Sequence, residues 1–413
     1  MRNRGLVVVG AGLAGVAACE SARREGFSGP ITLIGAESHL PYDRPPLSKE
    51  LLVGEASPAV PLLRERGRFT ELDIDVMTDA PAVGLDTRAR VVGTGKGDVP
   101  YQHLVIACGA RSRELPGTSG ISGIHTLRTH SDVEAVWKRL QSPVRVVVIG
   151  AGFIGAEVAS AARNYGHPVT IVEAAPAPLT RSLGAEGGAL VTELHAANGT
   201  ELVLGVGVES MITDSTGTTV AGVKLTDGRV VDGDLVVVGI GAAPSTEWLS
   251  DTDIGLDARD GGIECDATLA VLSSAGLPVD GVWAAGDVAH WPNALFDKRM
   301  RLEHWASASE QGAAAARNAV SGSSPMPFTT VPYFWSDWYG TRIQFVGTSH
   351  ADELLVQQRR DKTGGTVVLY RSGGRVAGVL TIGRPDLIMK YRRFVTAPDS
   401  WVSGVNYGAD QCR

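Results

Sequence analysis

Two glycine-rich hexamers carry the first chemical signal in this 413-residue chain: residues 10–15 read GAGLAG and residues 150–155 read GAGFIG. Each follows an apolar run and leads into an alanine-rich stretch, so each predicts a strand, a tight turn and a helix. In that context Gly10, Gly12 and Gly15, and again Gly150, Gly152 and Gly155, let backbone come close to a pyrophosphate, and the helix N-terminus offers N–H groups and a positive dipole end. An acidic residue closes the second strand of each copy, Glu37 after ITLIGA and Glu173 at the end of VTIVE. A carboxylate there accepts from ribose hydroxyls. At Glu173 it also repels a 2′-phosphate, and no arginine follows at once to receive one, so the spacing predicts two dinucleotide sites, the second favouring NADH over NADPH.

The elements that position these residues follow from periodicity. Residues 6–9 and 31–34 read as buried strands around a helix reaching about Gly26, and a near copy begins at Val144. Short strands such as residues 91–92 and 223–225, with Asp-Gly turns at 227–228 and 232–233, predict small antiparallel sheets attached to the two parallel cores. A Ser/Gly/Pro-rich stretch from Ser321 (SGSSPMP) marks a boundary before a tail rich in β-branched and aromatic residues, expected to form an α+β domain.

Composition narrows the function class. The 51 glycines exceed the usual share of about 7%, as expected where backbone lies against ligands. A formal net charge of −7 gives no general attraction to nucleic acid or anionic membranes. Cys19, Cys108, Cys265 and Cys412 are scattered without close pairs, which argues against a metal site or a disulfide framework and fits a reducing cytoplasm. No apolar stretch of about 18 residues predicts a membrane span, and MRNRGLVVVGAG reads as a buried strand instead of a signal peptide.

Four strings then reach a family. PYDRPPLSKELL at 41–52, GFIGAE ending in Glu157, GVWAAGDVA around Asp287 and YFWSD at 333–337 together resemble the NADH-dependent ferredoxin reductases of bacterial oxygenase systems, of the putidaredoxin reductase and biphenyl dioxygenase reductase type. The resemblance runs over nearly the whole chain, and PPLSK with FWSD is more specific than either glycine motif.

It implies an α/β fold with two Rossmann-like dinucleotide-binding domains of the glutathione-reductase type plus a C-terminal α+β domain. The expected divisions are a discontinuous FAD-binding domain (1–109 and 240–322), an NADH-binding domain (110–239) and a C-terminal domain (323–413). FAD is the expected bound cofactor, NADH the substrate, and a [2Fe-2S] ferredoxin the partner that carries electrons to a terminal oxygenase. Beside the first glycine motif, the resemblance assigns Ala14, Arg44, Lys49, Ala82, Arg128, Asp287 and Trp305 to the flavin cofactor. It adds Ile154, Arg181 and Gly241 to the nicotinamide cofactor site. Lys49 and Glu157 are expected to form an ion pair near the reacting flavin, the lysine stabilising the charge of its reduced form and the glutamate orienting the lysine and the carboxamide of NADH. Trp335 is expected to shield the flavin or to pack in a domain interface.

Two residues depart from the family pattern. Cys108, in LVIACGAR, stands where relatives usually carry threonine and is expected to tune the site, and His304 is either a proton relay or an interface histidine. Disulfide or peroxide chemistry would need a reactive cysteine, and DRPPLSKELL holds none. An NADH oxidase, a quinone-reducing flavin dehydrogenase and a low-turnover signalling flavoprotein are the competing readings. Lys298, Arg299 and Arg301, and Lys390, Arg392 and Arg393, are the basic clusters able to meet an acidic ferredoxin. A monomer and a homodimer are equally compatible with the sequence.

Overall fold

The opening apolar run folds as the strand Gly5–Val9, buried at every position, and the chain turns at Gly10 into the helix Leu13–Arg24. Gly10 sits at φ +114°, and a Cβ there would stand 2.1 Å from the carbonyl oxygen of Ala107. A Cβ on Gly15 would meet the Gly10 carbonyl at 1.9 Å. Any other residue would push the helix off the strand that feeds it. The second copy repeats both constraints: Gly150 has φ +100°, and a Cβ on Gly155 would lie 2.1 Å from the Gly150 carbonyl.

The structure is a computed structural model that describes residues 5–358 and 364–411. The chain divides into two units. The first takes the chain up to Asp43 with Val60–Arg111 and Ala243–Pro332, and the second takes Arg44–Ala59, Ser112–Ala242 and the chain from Tyr333.

In the first unit, Gly5–Val9 pairs in parallel with Ile31–Ile34 on one side and Gly97–Ile106 on the other. Ile74–Met77 extends the parallel sheet beyond Ile31–Ile34, and Pro278–Ala284 extends it beyond Gly97–Ile106. The late return of residues 278–284 to this sheet brings GDVA back beside the first glycine turn. The helix Trp305–Val320 packs on Leu13–Arg24 closely enough that a Cβ on Gly312 would meet the Ala14 carbonyl at 2.1 Å, and Ser21 Oγ donates to Ala313 O at 2.9 Å. The alanines of both helices permit that approach. Leu6, Leu33, Leu104 and Ile106 are fully buried in the core, each worth about 1.5–3 kcal/mol.

In the second unit a five-stranded parallel sheet runs Glu201–Leu204, Val169–Glu173, Val146–Ile149, Leu235–Val238, Ile124–His125. An antiparallel ribbon of Val208–Thr213, Val220–Leu225 and Val230–Asp232 is attached to it. Asp227-Gly228 is the expected hairpin turn, with Gly228 at φ +86°. Asp232-Gly233 differs from expectation. Gly233 N donates back to Ala221 O, and the chain continues into the parallel strand Leu235–Val238 instead of reversing.

From Tyr333 a five-stranded antiparallel sheet forms in the order Tyr333–Trp338, Thr341–Gly347, Arg375–Ile382, Thr366–Ser372, Glu353–Gln358, accompanied by the helices Ile388–Thr396 and Trp401–Gln411. Alternation of buried and half-buried residues along YFWSDW turns Phe334, Ser336 and Trp338 to one side. That side meets the helix Phe153–Asn164, where Phe334 packs edge-on to Phe153 at 4.7 Å. The α/β class with two Rossmann-like cores and a C-terminal α+β part is thus as expected. No helix among the described residues is long and apolar enough to cross a membrane.

Candidate functional site

The first glycine turn leaves one side open. A Cβ on Gly12 would meet nothing within 4 Å, whereas Gly10 and Gly15 are walled in by backbone. Gly12 is also the N-cap of Leu13–Arg24 and makes no side-chain cap bond. The first N–H groups of an α-helix have no intrahelical partner, so the open side of Gly12 presents backbone donors and a positive dipole end, which fits the pyrophosphate of a dinucleotide. Glu37 lies just past Ile31–Ile34, and its Oε2 accepts from Tyr42 Oη at 2.6 Å.

Asp287 occupies the one-turn helix Gly286–Val288, entered at Gly286 with φ +77°. Gly286 N donates to Gln311 Oε1 at 2.8 Å, and a Gly286 Cβ would press on the Ala14 methyl at 3.1 Å. The GDVA turn therefore stands against the start of the first helix. Trp305 is exposed, and its indole donates to Asp43 Oδ1 at 2.8 Å. Ala82 opens the strand Ala82–Asp86 of the same unit.

The second cradle repeats the first. Apart from the Gly239 carbonyl at 3.7 Å, nothing would crowd a Cβ on Gly152, so this turn too is open beside a helix N-terminus. Glu173 ends its strand with Oε2 accepting from Ala151 N at 2.7 Å and Oε1 from Ala175 N at 2.8 Å. Two backbone donors hold its carboxylate over the glycine turn, where a ribose would be read. Ile154 is exposed in the first turn of Phe153–Asn164. Arg181 begins the helix Thr180–Ala197, and its Nη1 lies 3.7 Å from where a Gly241 Cβ would stand. Arg44, Lys49 and Arg128, assigned to the flavin cofactor by resemblance, fall in this second unit. Arg44 Nη1 donates to Arg128 O at 2.5 Å.

Lys49 and Glu157 come together as expected. Lys49 Nζ lies 2.9 Å from Glu157 Oε1, with side-chain exposures of 16% and 2%. The helix Phe153–Asn164 turns Glu157 inward, so it is not a solvated acid in a helix's first turn. Three further donors converge on the same carboxylate: Ser48 Oγ on Oε2, Ser336 Oγ on Oε1 at 2.5 Å, and Asp337 N on Oε1 at 3.4 Å. A buried carboxylate needs such company, because its desolvation is otherwise costly. Neither serine is singled out by sequence, although each lies within a family motif, Ser48 in PPLSK and Ser336 in FWSD.

Trp335 stacks on Tyr333 with ring centroids 5.9 Å apart. Cys108 Sγ donates to Ser245 O at 3.0 Å, and burial pushes its thiol up to about 12. Burial also raises the Cys19 and Cys265 thiols well above their ordinary range. None of these three is a reactive thiolate, and Cys412 lies outside the described residues. His304 caps Trp305–Val320, and desolvation of its ring lowers it to about 4, with Asp287 pulling weakly the other way. An imidazole so depressed is neutral at physiological pH.

Two of the three cations in the first basic cluster are already paired. Arg299 bridges to Glu264 and donates to the carbonyls of Cys265 and His290. Arg301 binds Asp260 at 2.7 Å, Glu303 at 2.8 Å and the carbonyl of Asp287 at 3.0 Å. The ligand atoms of Asp257, Glu264 and His290 lie within 4.8 Å of one another, but Arg259 takes Asp257 and Arg299 takes Glu264, so the group is an ion-pair network. In the second cluster Lys390 and Arg393 are exposed, the latter over the rings of Phe394 and Tyr407.

Residues 4–312 match the pyridine nucleotide-disulphide oxidoreductase family, and residues 333–402 match the reductase C-terminal family. Rhodocoxin reductase of Rhodococcus erythropolis is 35% identical over 94% of this chain and 89% of its own length. The ferredoxin–NAD(+) reductase component of the p-cumate 2,3-dioxygenase system of Pseudomonas putida is 33% identical over 94% of this chain and 92% of its own. Among solved structures, the covalent putidaredoxin reductase–putidaredoxin complex aligns with TM-score 0.87 and 30% identity over 96% of this chain and 94% of that one.

Proposed function

This chain belongs to the pyridine nucleotide-disulphide oxidoreductase family, and from that premise we propose that it is an FAD-dependent NADH:ferredoxin reductase delivering electrons to a [2Fe-2S] ferredoxin that serves a bacterial oxygenase. The observation that carries this reading is the presence of two open glycine cradles in one chain, together with a C-terminal reductase part and no reactive thiol among the described cysteines. The full-length likeness to ferredoxin–NAD(+) reductases supports the same reading.

In it, residues 1–109 and 240–322 form the FAD domain, 110–239 the NADH domain and 323–413 the C-terminal domain. Gly10, Gly12, Ala14 and Gly15 receive the FAD pyrophosphate, Glu37 binds its ribose, and Asp287 holds the ribityl region, with Ala82, Trp305, Arg44 and Arg128 as further contacts. Gly150, Gly152, Ile154, Gly155, Arg181 and Gly241 receive NADH, whose ribose hydroxyls bond to Glu173. Bound FAD supplies the hydride-accepting centre and the ability to release electrons singly. Lys49 provides a positive charge for the reduced cofactor, and Glu157 fixes the lysine and the nicotinamide carboxamide. The low-lying imidazole of His304 makes it a neutral packing residue in this scheme. With free thiols at Cys19, Cys108 and Cys265, a reducing cytoplasm is the compartment we assign.

Steady-state reduction of cytochrome c by NADH tests the reading. Turnover should depend on added [2Fe-2S] ferredoxin. Rapid NADH consumption with oxygen or a quinone alone, and none through any ferredoxin, would favour an oxidase or quinone reductase instead.

A further inference from the structure

A carboxylate accepts through about four lone-pair directions, and four donors from two separate parts of the sequence converge on that of Glu157. Ser48 and Lys49 come from the segment Arg44–Ala59, Ser336 and the Asp337 amide from the first strand of the C-terminal sheet. Ser336 has its own anchor: the Trp338 indole Nε1–H donates to Ser336 Oγ at 2.8 Å. Because that oxygen already accepts from the indole, its single proton is directed to Glu157. Ser336 and Trp338 are both completely buried, so this orientation is not shared with water.

Trp338 is itself fixed. Its ring lies 4.9 Å from that of His195, whose Nδ1 bonds the Tyr339 hydroxyl at 2.8 Å, and Tyr339 N is tied to Ser160 Oγ at 2.8 Å on the helix that carries Glu157. The strand end and the helix are therefore locked in register.

We propose that Ser336 is a positioning residue for hydride transfer: oriented by Trp338, it locks the Glu157 carboxylate in the rotamer that aims the Lys49 ammonium. This rests on the function proposed above. The C-terminal part thereby supplies one of the donors on which the Lys49–Glu157 geometry depends. Loss of the hydroxyl should free Glu157 to rotate and leave the indole proton without its acceptor, while neither glycine cradle nor Glu173 is touched.

The test uses the purified flavoprotein with Ser336→Ala, Ser336→Thr and Trp338→Phe. For Ser336→Ala, anaerobic flavin bleaching at saturating NADH should slow about tenfold per bound flavin, with NADH affinity within about twofold of wild type. FAD content should be unchanged, Ser336→Thr should restore most of the rate, and Trp338→Phe should fall between. A purely structural role would lower flavin content or melting temperature and leave the rate per flavin intact, and that result overturns the proposal. Independently of turnover, the indole N–H resonance of Trp338 in the oxidised protein without NADH should move in both Ser336→Ala and Glu157→Gln, since both change the hydroxyl it meets. An unmoved resonance in Glu157→Gln also overturns it. Should wild-type flavin fail to bleach, the proposed function falls, while the resonance measurement still decides whether the clamp exists.

Discussion

Glu173 shows what one side chain can settle. Its two oxygens are held by the amides of Ala151 and Ala175, which fixes a negative charge over the second glycine turn. In the proposed NADH site that carboxylate would accept from a ribose diol and repel a 2′-phosphate. Glu173→Ala should lower the NADH-to-NADPH ratio of kcat/KM by about tenfold, equivalent to ~1.4 kcal/mol, measured in steady state with each coenzyme. An unchanged ratio would remove Glu173 from that role. At this scale the sequence was legible where spacing suggests chemistry, as at Gly10, Gly12 and Gly15, while the Lys49–Glu157 pair was expected only from the family resemblance and is found at 2.9 Å. Ser48 and Ser336 were not legible, because a serine donates to whatever the fold brings near and carries no spacing signature of its own. Nor could sequence foresee that Arg299 and Arg301 are held by Glu264, Asp260 and the Asp287 carbonyl, since those partners are distant along the chain.

Among elements, the glycine turns separate fold from function. Gly15 is required by packing, but Gly12 faces open space at a φ of −94° that alanine adopts freely. Gly12→Ala should therefore fold with little change in the melting temperature of the flavin-free protein while losing about tenfold or more in FAD affinity, ~1.4 kcal/mol, by flavin titration. Wild-type affinity would contradict the cradle.

On the helix Thr180–Ala197, His195 is fully buried against Trp338 and Tyr339, and desolvation lowers it from 6.5 to about 4. Between those values the unfolded chain binds a proton that the folded one refuses. Stability present above about pH 6.5 is thus lost as pH falls toward 4, by roughly 2–3 kcal/mol. Thermal melts across that range should show the decline, and His195→Gln should flatten it even though it lowers stability at pH 8. The strands and helices of both cores were readable from apolar runs and glycine punctuation. The Asp232-Gly233 turn was not, because the same dipeptide that closes hairpins can lead into a parallel strand when the flanking apolar run belongs to another sheet.

For the whole molecule, the duplicated strand–turn–helix and the late GDVA string made the two-dinucleotide architecture visible from sequence, and the full-length family match agrees with it. Partner recognition is written more diffusely. With Arg299 and Arg301 engaged in internal pairs, Lys390 and Arg393 on the helix Ile388–Thr396 become the better candidates for meeting an acidic ferredoxin. Charge reversal at Lys390 or Arg393 should raise the ferredoxin KM several-fold, roughly 1 kcal/mol per contact, and leave flavin reduction by NADH unchanged. Ferredoxin kinetics insensitive to ionic strength would argue against electrostatic docking at this face.

The assignment of this chain as an NADH-reducible flavoprotein is tested most directly by rapid anaerobic mixing of the purified protein with NADH, followed by a [2Fe-2S] ferredoxin. Flavin absorbance should bleach within the turnover time and recover only as the ferredoxin is reduced. A protein that binds no FAD, or whose flavin keeps its colour after NADH is added, would contradict it.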